Sequence, residues 1–277
     1  MMNRNNCRQR RRAKKLYLVA ALLPVFFCLP CFTCLAADTD DMGYRIAREA
    51  DRRASGFGDF TAEMEMILRN RQGRESHRRI RIRAMETEND GDKSLTIFDS
   101  PADVKGTALL THSHKSGDDD QWLYLPALKR VKRISSRNKS GAFMGSEFSY
   151  EDLGSLEIEK YTYKYLGEDS LNGHDCFMLE RYPKDKKNSG YSRIVSWLDQ
   201  DEYRLWKEEY YDKRKRLLKT LTLGDYQRYL KTIWRARFMH MVNHQTGKET
   251  DLIWSNFFFR TRLSSKDFNK NSLKRAR

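Results

Sequence analysis

Residues 60–84 read FTAEMEMILRNRQGRESHRRIRIRA, and their pattern of apolar and polar side chains determines the expected fold. Apolar residues alternate with polar ones in both halves of this stretch. A period of two residues indicates a β-strand with one buried face. Gly73 separates the halves and predicts the turn of a hairpin. The outer face of the first strand is acidic and that of the second is basic, which favours their cross-strand pairing.

The strand pattern continues through the rest of the chain. Turn residues separate most of the apolar runs, which are SLTIF, GTALLTHSH, QWLYLP, KRVKRI, EKYTYKYLGE, CFMLERYP, SRIVSWLD, YRLWKEEYYD, LLKTLTLGDYQRY, TIWRARFMHMV and LIWSNFFF. Many short strands joined by tight turns predict one antiparallel meander that is curled or barrel-like. The sequence has no repeat of fixed period and no Pro- or Ser-rich linker, so a single domain is expected.

One helix is predicted ahead of the strands, in the segment GYRIAREADRRA. Ile46, Ala50 and Ala54 recur on one helical face, and Asp40 or Asp41 can cap the N-terminus. A curled sheet with few helices cannot cover its own concave face. Either helices fill that face or the sheet encloses a ligand cavity.

The first 37 residues are typical of a secretory signal peptide. Residues 1–15 hold seven basic residues and no acidic one, and an apolar run follows that ends in small residues. This pattern predicts cleavage near Ala36 or Ala37 and a single domain over residues 38–277. The alternative is an uncleaved anchor, because residues 16–35 are long enough to span a bilayer. Pro24 and Pro30 favour cleavage.

The charge and the cysteines agree with export. The chain has 53 Lys and Arg against 38 Asp and Glu, so removal of seven basic residues leaves 46 − 38 = +8. A basic surface attracts anionic partners, and export argues against nucleic acid, which leaves anionic membrane surfaces and lipids. Cys176 alone of five cysteines follows the cleavage point, so no internal disulfide is expected. Its apolar surroundings predict a core residue.

From about Gly43 to the C-terminus the chain resembles the outer-membrane lipoprotein-sorting protein family, within the LolA/LolB-like superfamily of periplasmic lipoprotein carriers. The resemblance rests on WLYLPALKRVKRI (122–134), SSRNKSGAFMGSEFSYEDL (135–153), WLDQDEYRLWKEEYYD (197–212) and VNHQTGKETDLIW (242–254), and NSLKRAR at the terminus also fits. It implies a mainly β fold with a few helices, in which an unclosed antiparallel β-barrel, or curled sheet, and its covering helices enclose a hydrophobic cavity.

The resemblance also implies a function. The protein is expected to bind acyl chains in the periplasm and to help move a lipoprotein or lipid between membranes. Members of this branch often accompany exporters of the resistance-nodulation-division (RND) type, which implies an RND-type inner-membrane exporter as a partner. The functional arginine of the classical carrier cannot be aligned with this sequence. The cargo, a lipoprotein or a free lipid, therefore stays open.

Within the resembling stretches, residues 133–153 carry the candidate site. Gly141 and Gly145 permit a sharp chain path around Phe143, Met144 and Phe148, which are predicted to form a lid over an acyl chain. Two aromatic residues of a preceding strand are assigned to the same lipid-binding surface, namely Trp122 and Tyr124. Three arginines are assigned to a cationic rim facing phosphate or an anionic partner, namely Arg130, Arg133 and Arg137. The alternative is that the apolar residues only pin a long loop to the core.

Signals for an enzyme are weak. His112 and His114 share a strand face, but no cysteine or carboxylate completes a known metal spacing. Ser146 lacks the GxSxG context of a nucleophile elbow. No catalytic residue, metal or cofactor is therefore predicted. Two rival functions remain: a non-carrying adaptor of an exporter, which a small cavity would favour, and a lipid or cell-wall hydrolase, which coupled carboxylates or a Ser–His contact would favour.

Overall fold

The computed structural model describes residues 33–275 as a mainly β fold with two helices. The helices are α1 (Thr33–Ala54) and α2 (Lys270–Arg275). The strands are β1 (Asp59–Arg69), β2 (Glu75–Met85), β3 (Lys93–Ser100), β4 (Ala108–His112), β5 (Asp120–Leu125), β6 (Arg130–Ile134), β7 (Tyr161–Leu171), β8 (His174–Pro183), β9 (Arg193–Asp199), β10 (Leu205–Tyr211), β11 (Leu217–Tyr229), β12 (Ile233–Asn243) and β13 (Lys248–Phe259). Neither of these helices has the length and apolar character needed to cross a membrane.

All thirteen strands form one antiparallel sheet in the order β6-β5-β4-β3-β2-β1-β13-β12-β11-β10-β9-β8-β7. Each half is a meander, and pairing of β1 with β13 joins the two halves. Strands β6 and β7 form the edges and do not pair with each other, so the sheet is not closed into a barrel. A twisted sheet of this width has to curl. The predicted fold class is thus confirmed.

The hairpin of β1 and β2 has the predicted register. Glu63 lies opposite Arg81, and Met64 lies opposite Ile80 with both side chains buried in the main core. The closest carboxylate to Arg81 is nevertheless on β3. Its guanidinium donates to Asp99 at 2.6 and 2.7 Å. The charge pairing of the outer face therefore extends over three strands.

Helix α1 begins at Thr33, ahead of the predicted cap at Asp40 or Asp41. Leu and Ala have high helix propensity, which explains why the helix continues through LAA at 35–37. Most of the predicted signal peptide, residues 1–32, lies outside the described residues. The predicted cleavage point at Ala36 or Ala37 falls in the first turns of α1.

Helix α1 packs closely on the concave face near the edge strand β7. A Cβ atom at Gly43 would lie 2.8 Å from the backbone nitrogen of Tyr165, so only glycine permits this approach. Ile46 and Ala47 are buried against side chains of β7 and β8, including Leu179. The helix ends before Gly56, whose φ of 92° favours glycine. The covering helix of the predicted fold is therefore α1.

A long connection between the two edge strands crosses the concave face. We call residues 135–160 the crossover segment. Its backbone is bonded to both halves of the sheet: Arg78 on β2 donates to the carbonyl oxygen of Met144 at 2.5 Å, and Lys219 on β11 donates to that of Glu147 at 2.9 Å. The segment therefore links the two halves in place of a direct β6–β7 pairing.

The C-terminal residues cover the opposite face of β3 to β5. Phe268 and Leu273 are buried there against Leu95, Leu110 and Trp122. On the other face of the same strands, Leu109 and Leu123 belong to the main core. This end of the sheet is consequently apolar on both faces.

Candidate ligand cavity

A cavity of about 560 Å³ lies between α1 and the concave face of the β7–β12 half of the sheet. Its wall is mostly apolar. The contributing side chains include Ala47, Ala50, Leu179, Leu198, Leu223 and Met239. The alanines keep α1 close to the sheet while leaving room beneath it. The predicted cavity under a covering helix is therefore present in the fold.

A buried polar network forms the inner wall of the cavity. Arg181 is 7% exposed and donates to Ser196 at 2.7 Å and to Glu208, which is also buried. Tyr210 donates its hydroxyl to Glu208 at 2.5 Å. Burial acts to lower the pKa of Arg181, but the adjacent Glu208 raises it above the ordinary value. Arg181 thus keeps its charge beside a carboxylate partner, as a buried charge must.

The C-terminus of α1 is tied to the β9–β10 turn beside the cavity. Arg53 donates to the carbonyl oxygen of Asp201 at 2.8 Å, and its guanidinium lies 4.6 Å from the ring centroid of Tyr203. Arg204 donates to Asp199 at 2.7 Å and lies over the ring of Trp234. The contacts of Arg53 hold the end of α1 against this turn, and those of Arg204 join the turn to β9 and β12.

Arg235 differs from the other arginines of the wall. It donates to the carbonyl oxygens of Trp234 at 3.0 Å and Ala54 at 3.3 Å, and it lies over the ring of Phe57. Within residues 33–275, no carboxylate oxygen lies within 4 Å of its nitrogen atoms. Burial lowers its pKa, although Glu86 exerts an opposing attraction.

Asp92 is the carboxyl group of the wall whose protonation is most altered. Burial raises its pKa from 3.8 to about 7, and the nearby charges of Glu86 and Glu157 add to the rise. The folded protein therefore binds this proton more tightly than the unfolded chain does. The stability gained by protonation is present below a pH of about 4 and is lost as the pH rises through about 7.

We predict that Asp92→Asn stabilises the protein in a pH-dependent way. An amide cannot ionise, so the variant avoids the loss that the wild type suffers between pH 5 and 8. The free energy of unfolding of the variant, relative to the wild type, should be about 2 kcal/mol larger at pH 8 than at pH 5. Chemical denaturation at both pH values measures this difference. An equal change in the free energy of unfolding at the two pH values would contradict a raised pKa of Asp92.

The residues predicted to form the lid do not line the cavity. Phe143 is fully buried and Phe148 nearly so, and Met144 packs against the same core. The ring of Phe143 lies 5.6 Å from that of Phe98 and 5.5 Å from that of Tyr150. This packing favours the alternative in which they pin the crossover segment to the core. Contact of these residues with cargo stays a prediction.

Trp122 and Tyr124 lie on the other face of β5. Trp122 is buried below the C-terminal residues Phe268 and Leu273, and Tyr124 packs against the same cluster. Neither residue lines the cavity. Alternation along the strand places Leu123 in the concave core instead. A role of Trp122 and Tyr124 in lipid binding therefore stays a prediction, and it would require a second binding surface.

The three arginines of the predicted rim are exposed but lie away from the cavity wall. Arg130 and Arg133 are on the edge strand β6, and Arg137 is in the 3₁₀ turn Ser136–Asn138. Arg133 pairs with Asp120 at 2.5 Å. No residue of β6 lines the cavity. A cationic rim around this cavity is therefore not formed by these residues, and their contact with an anionic surface stays a prediction.

Sequence reasoning did not assign the apolar or the polar residues of the wall to the site. Tyr163 and Arg181 lie in runs that predict strands but give no indication of which side chains face a ligand. One signal was available: Ala50 and Ala54 recur on one face of the predicted helix, and both line the cavity. Small residues along one face of a covering helix indicate close packing on the sheet. Whether a cavity remains between helix and sheet depends on the side chains of the sheet.

Comparison with known proteins identifies the family. A family model whose description reads "-like: Uncharacterized protein" matches residues 90–275. A search of curated proteins finds no match. An outer membrane lipoprotein-sorting protein domain from Vibrio parahaemolyticus is 58% identical with a TM-score of 0.83, over 85% of this chain and 99% of that chain.

Two further solved structures agree with this result. A DUF1329 family protein from Desulfovibrio piger is 34% identical with a TM-score of 0.80, over 85% of this chain and 99% of that one. A LolA superfamily protein from Nitrosomonas europaea is 22% identical with a TM-score of 0.67, over 83% of this chain and 98% of that one, and it shows the fold alone. The chain belongs to the outer-membrane lipoprotein-sorting protein family, with a LolA-like fold.

Proposed function

We propose that the protein is a periplasmic carrier that holds an acyl chain of a lipoprotein or lipid in the cavity beneath α1 and helps to move it between membranes. The cavity itself is the observation that supports this function most strongly. The sorting role named for the Vibrio parahaemolyticus domain, which is 58% identical, supports it as well. Periplasmic location rests on the predicted signal peptide.

The volume of the cavity fits one acyl chain. A methylene group is about as large as a water molecule, which occupies roughly 30 Å³ in the liquid. The 560 Å³ of the cavity therefore hold about 18–19 methylene groups. Burying 16 of them is worth roughly 13 kcal/mol before the costs of association and ordering. Carrying one long chain requires only this burial and no catalytic step.

A half-exposed leucine indicates where a chain can enter. Leu156 of the crossover segment lines the cavity and is 47% exposed. A single exposed leucine is common on protein surfaces. Leu156, however, also contacts the apolar interior of the cavity. The cavity is thus accessible beside the crossover segment, and α1 covers the remainder.

A chain-length series tests this function. We expect fatty acids of about 10 to about 22 carbons to displace a fluorescent fatty acid, because each buried methylene contributes about 0.8 kcal/mol. Affinity should rise with length and should level off at about 18–19 carbons, when the cavity is full. Failure of every chain to bind, with the protein folded, would reject the carrier.

The adaptor alternative loses its main support, since the cavity has room for a chain. Association with an RND-type inner-membrane exporter is nevertheless part of the proposal, and it is compatible with a carrier. Crosslinking in cells, followed by purification of the tagged protein, tests it. Recovery of an RND-type exporter subunit supports the association, whereas its absence from crosslinked complexes counts against it.

Contact with an anionic membrane surface is proposed separately for Arg130, Arg133 and Arg137. Exposed charges are screened over about 8–10 Å in ordinary buffers, so such binding should weaken with added salt. Flotation with anionic liposomes at low salt tests it. Equal flotation of the wild type and of the triple serine variant would remove this contact from the proposal.

A hydrolase is the second alternative. Ser146 is buried and donates its hydroxyl to the carbonyl oxygen of Phe143 at 2.8 Å, which is a structural bond. Asp92 lines the cavity, and the charges of Glu86 and Glu157, which do not line it, add to the rise in its pKa. Glu86, however, accepts bonds from the backbone after α1, and Glu157 accepts one from Ser155 at 2.5 Å.

The Asp92→Asn variant separates the two functions. A carrier should bind fatty acid equally well with aspartate or asparagine at this position. Turnover of a fatty-acyl ester by the wild type that the variant lacks would instead establish a hydrolase with Asp92 as its acid or base.

A further inference from the structure

Three buried side-chain groups of the cavity wall have no hydrogen-bond partner among residues 33–275. They are the hydroxyl of Tyr163, Nε of Arg181 and the indole nitrogen of Trp234. Tyr163 is 6% exposed and Arg181 is 7% exposed, so both are more than nine-tenths buried. Three other described side chains with such an atom do not line the cavity, namely Thr87, Gln200 and Trp254.

All three wall groups are able to donate a hydrogen bond. The guanidinium and indole nitrogens carry N–H groups and can only donate, and the phenol carries an O–H. An unmade hydrogen bond of a buried group costs free energy, so such groups are normally paired. A hydrocarbon chain offers no acceptor to them. The wall is therefore suited to a ligand that brings oxygen atoms into the cavity.

Two of these donors are neighbours. Tyr163 on β7 lies directly opposite Arg181 on β8 in the sheet register. Cβ atoms of such a pair are roughly 5 Å apart and their side chains stand on the same face. Their unpaired O–H and N–H groups therefore belong to adjacent side chains on one face of the sheet. Arg181 also contacts Ser196 and Glu208 through Nη1, and these contacts hold its guanidinium in place.

We propose that the cavity binds an acyl chain with its carbonyl or carboxyl head inside, where the oxygen accepts hydrogen bonds from Tyr163 O–H and Arg181 Nε–H. This inference rests on the proposed carrier function and specifies its cargo. The charge of Arg181 is already balanced by Glu208. A neutral ester and a carboxylate therefore both suit the site, and the ligand class is a single long acyl group that retains its C1 oxygen.

Competition against a fluorescent fatty acid tests the head group. Dodecanoate, methyl dodecanoate and dodecyltrimethylammonium share a chain length, but the last has no hydrogen-bond acceptor. Dodecanoate should bind at least about tenfold more tightly than the ammonium compound, because two donors are satisfied. A similar affinity for the ester indicates that ester-linked chains are accepted as well as free acids. A much weaker ester would contradict the inclusion of neutral esters in the ligand class.

Tyr163→Phe removes one donor and little else. Affinity for dodecanoate should fall about three- to tenfold, the usual contribution of one hydrogen bond. The melting temperature without ligand should stay the same or rise, since the lost hydroxyl has no partner within residues 33–275. Binding of dodecyltrimethylammonium should not change. Tyr182→Phe is the matched control, because that hydroxyl donates to Glu180 at 2.5 Å and does not line the cavity.

Two results would overturn the proposal. One is unchanged dodecanoate affinity in Tyr163→Phe, and the other is equal affinity of the wild type for dodecanoate and dodecyltrimethylammonium. In either case chains still bind, so the carrier function stands and only the position of the head group is wrong. If none of the three compounds binds to the folded wild type, the carrier function itself falls.

Discussion

Ala50→Trp is expected to lower the affinity for a long fatty acid roughly a thousandfold while the protein stays folded. Ala50 is partly buried on α1 and lines the cavity. An indole at this position would occupy the space of about five methylene groups, each worth about 0.8 kcal/mol, and every 1.4 kcal/mol is tenfold in affinity. Titration of a fluorescent fatty acid into wild type and variant measures the effect.

The control for this variant lies on the same helix. Arg48 is exposed on the opposite side of α1 and does not line the cavity, so Arg48→Trp adds the same ring outside. Its affinity should stay within about threefold of the wild type, as expected for a surface change. Normal binding by Ala50→Trp, or equal loss in both variants, would place the ligand elsewhere.

Phe143→Ala has the second large effect, and it acts on stability. The ring is fully buried between Phe98 and Tyr150, where the crossover segment meets the main core. Removing a buried aromatic ring costs about 3–5 kcal/mol of the free energy of unfolding. For a chain of this size the melting temperature should fall by roughly 6–20 °C. Fatty-acid affinity of the remaining folded protein should equal that of the wild type.

Phe258→Ala provides the matched control, because Phe258 is 62% exposed on β13. The same substitution there should shift the melting temperature by only about 1–2 °C. The lid hypothesis predicts the reverse for Phe143: little loss of stability and a large loss of binding. Calorimetry combined with the binding titration therefore decides whether residues 143–148 cover the cargo or pin the core.

The fold was predictable because its signal is local. The alternation around Met64 and Met66, with the turn at Gly73, predicts the first hairpin, and the same pattern marks the later strands. The pairing of β1 with β13 joins residues nearly two hundred positions apart, as at Phe60 and Phe259. No local pattern specifies such a pairing, which explains why the meander was predicted but not its division into two halves.

The site was harder to predict because both faces of some strands are apolar. Trp122 and Leu123 are both buried, one below the C-terminal residues and the other in the concave core. Sequence alternation cannot tell which of two apolar faces encloses the ligand. Arg181 depends on Glu208, a residue two strands further along the sheet. The burial of such an arginine cannot be predicted from the sequence until its carboxylate partner in the fold is known.

Native mass spectrometry of the protein, purified from cells without detergent, shows whether an acyl chain is bound beneath α1. We expect the wild type to retain one acyl-bearing molecule per chain and Ala50→Trp, purified in parallel, to be recovered without it. Wild-type protein recovered without any lipid, or a lipid bound equally by both proteins, would contradict binding of an acyl chain beneath α1.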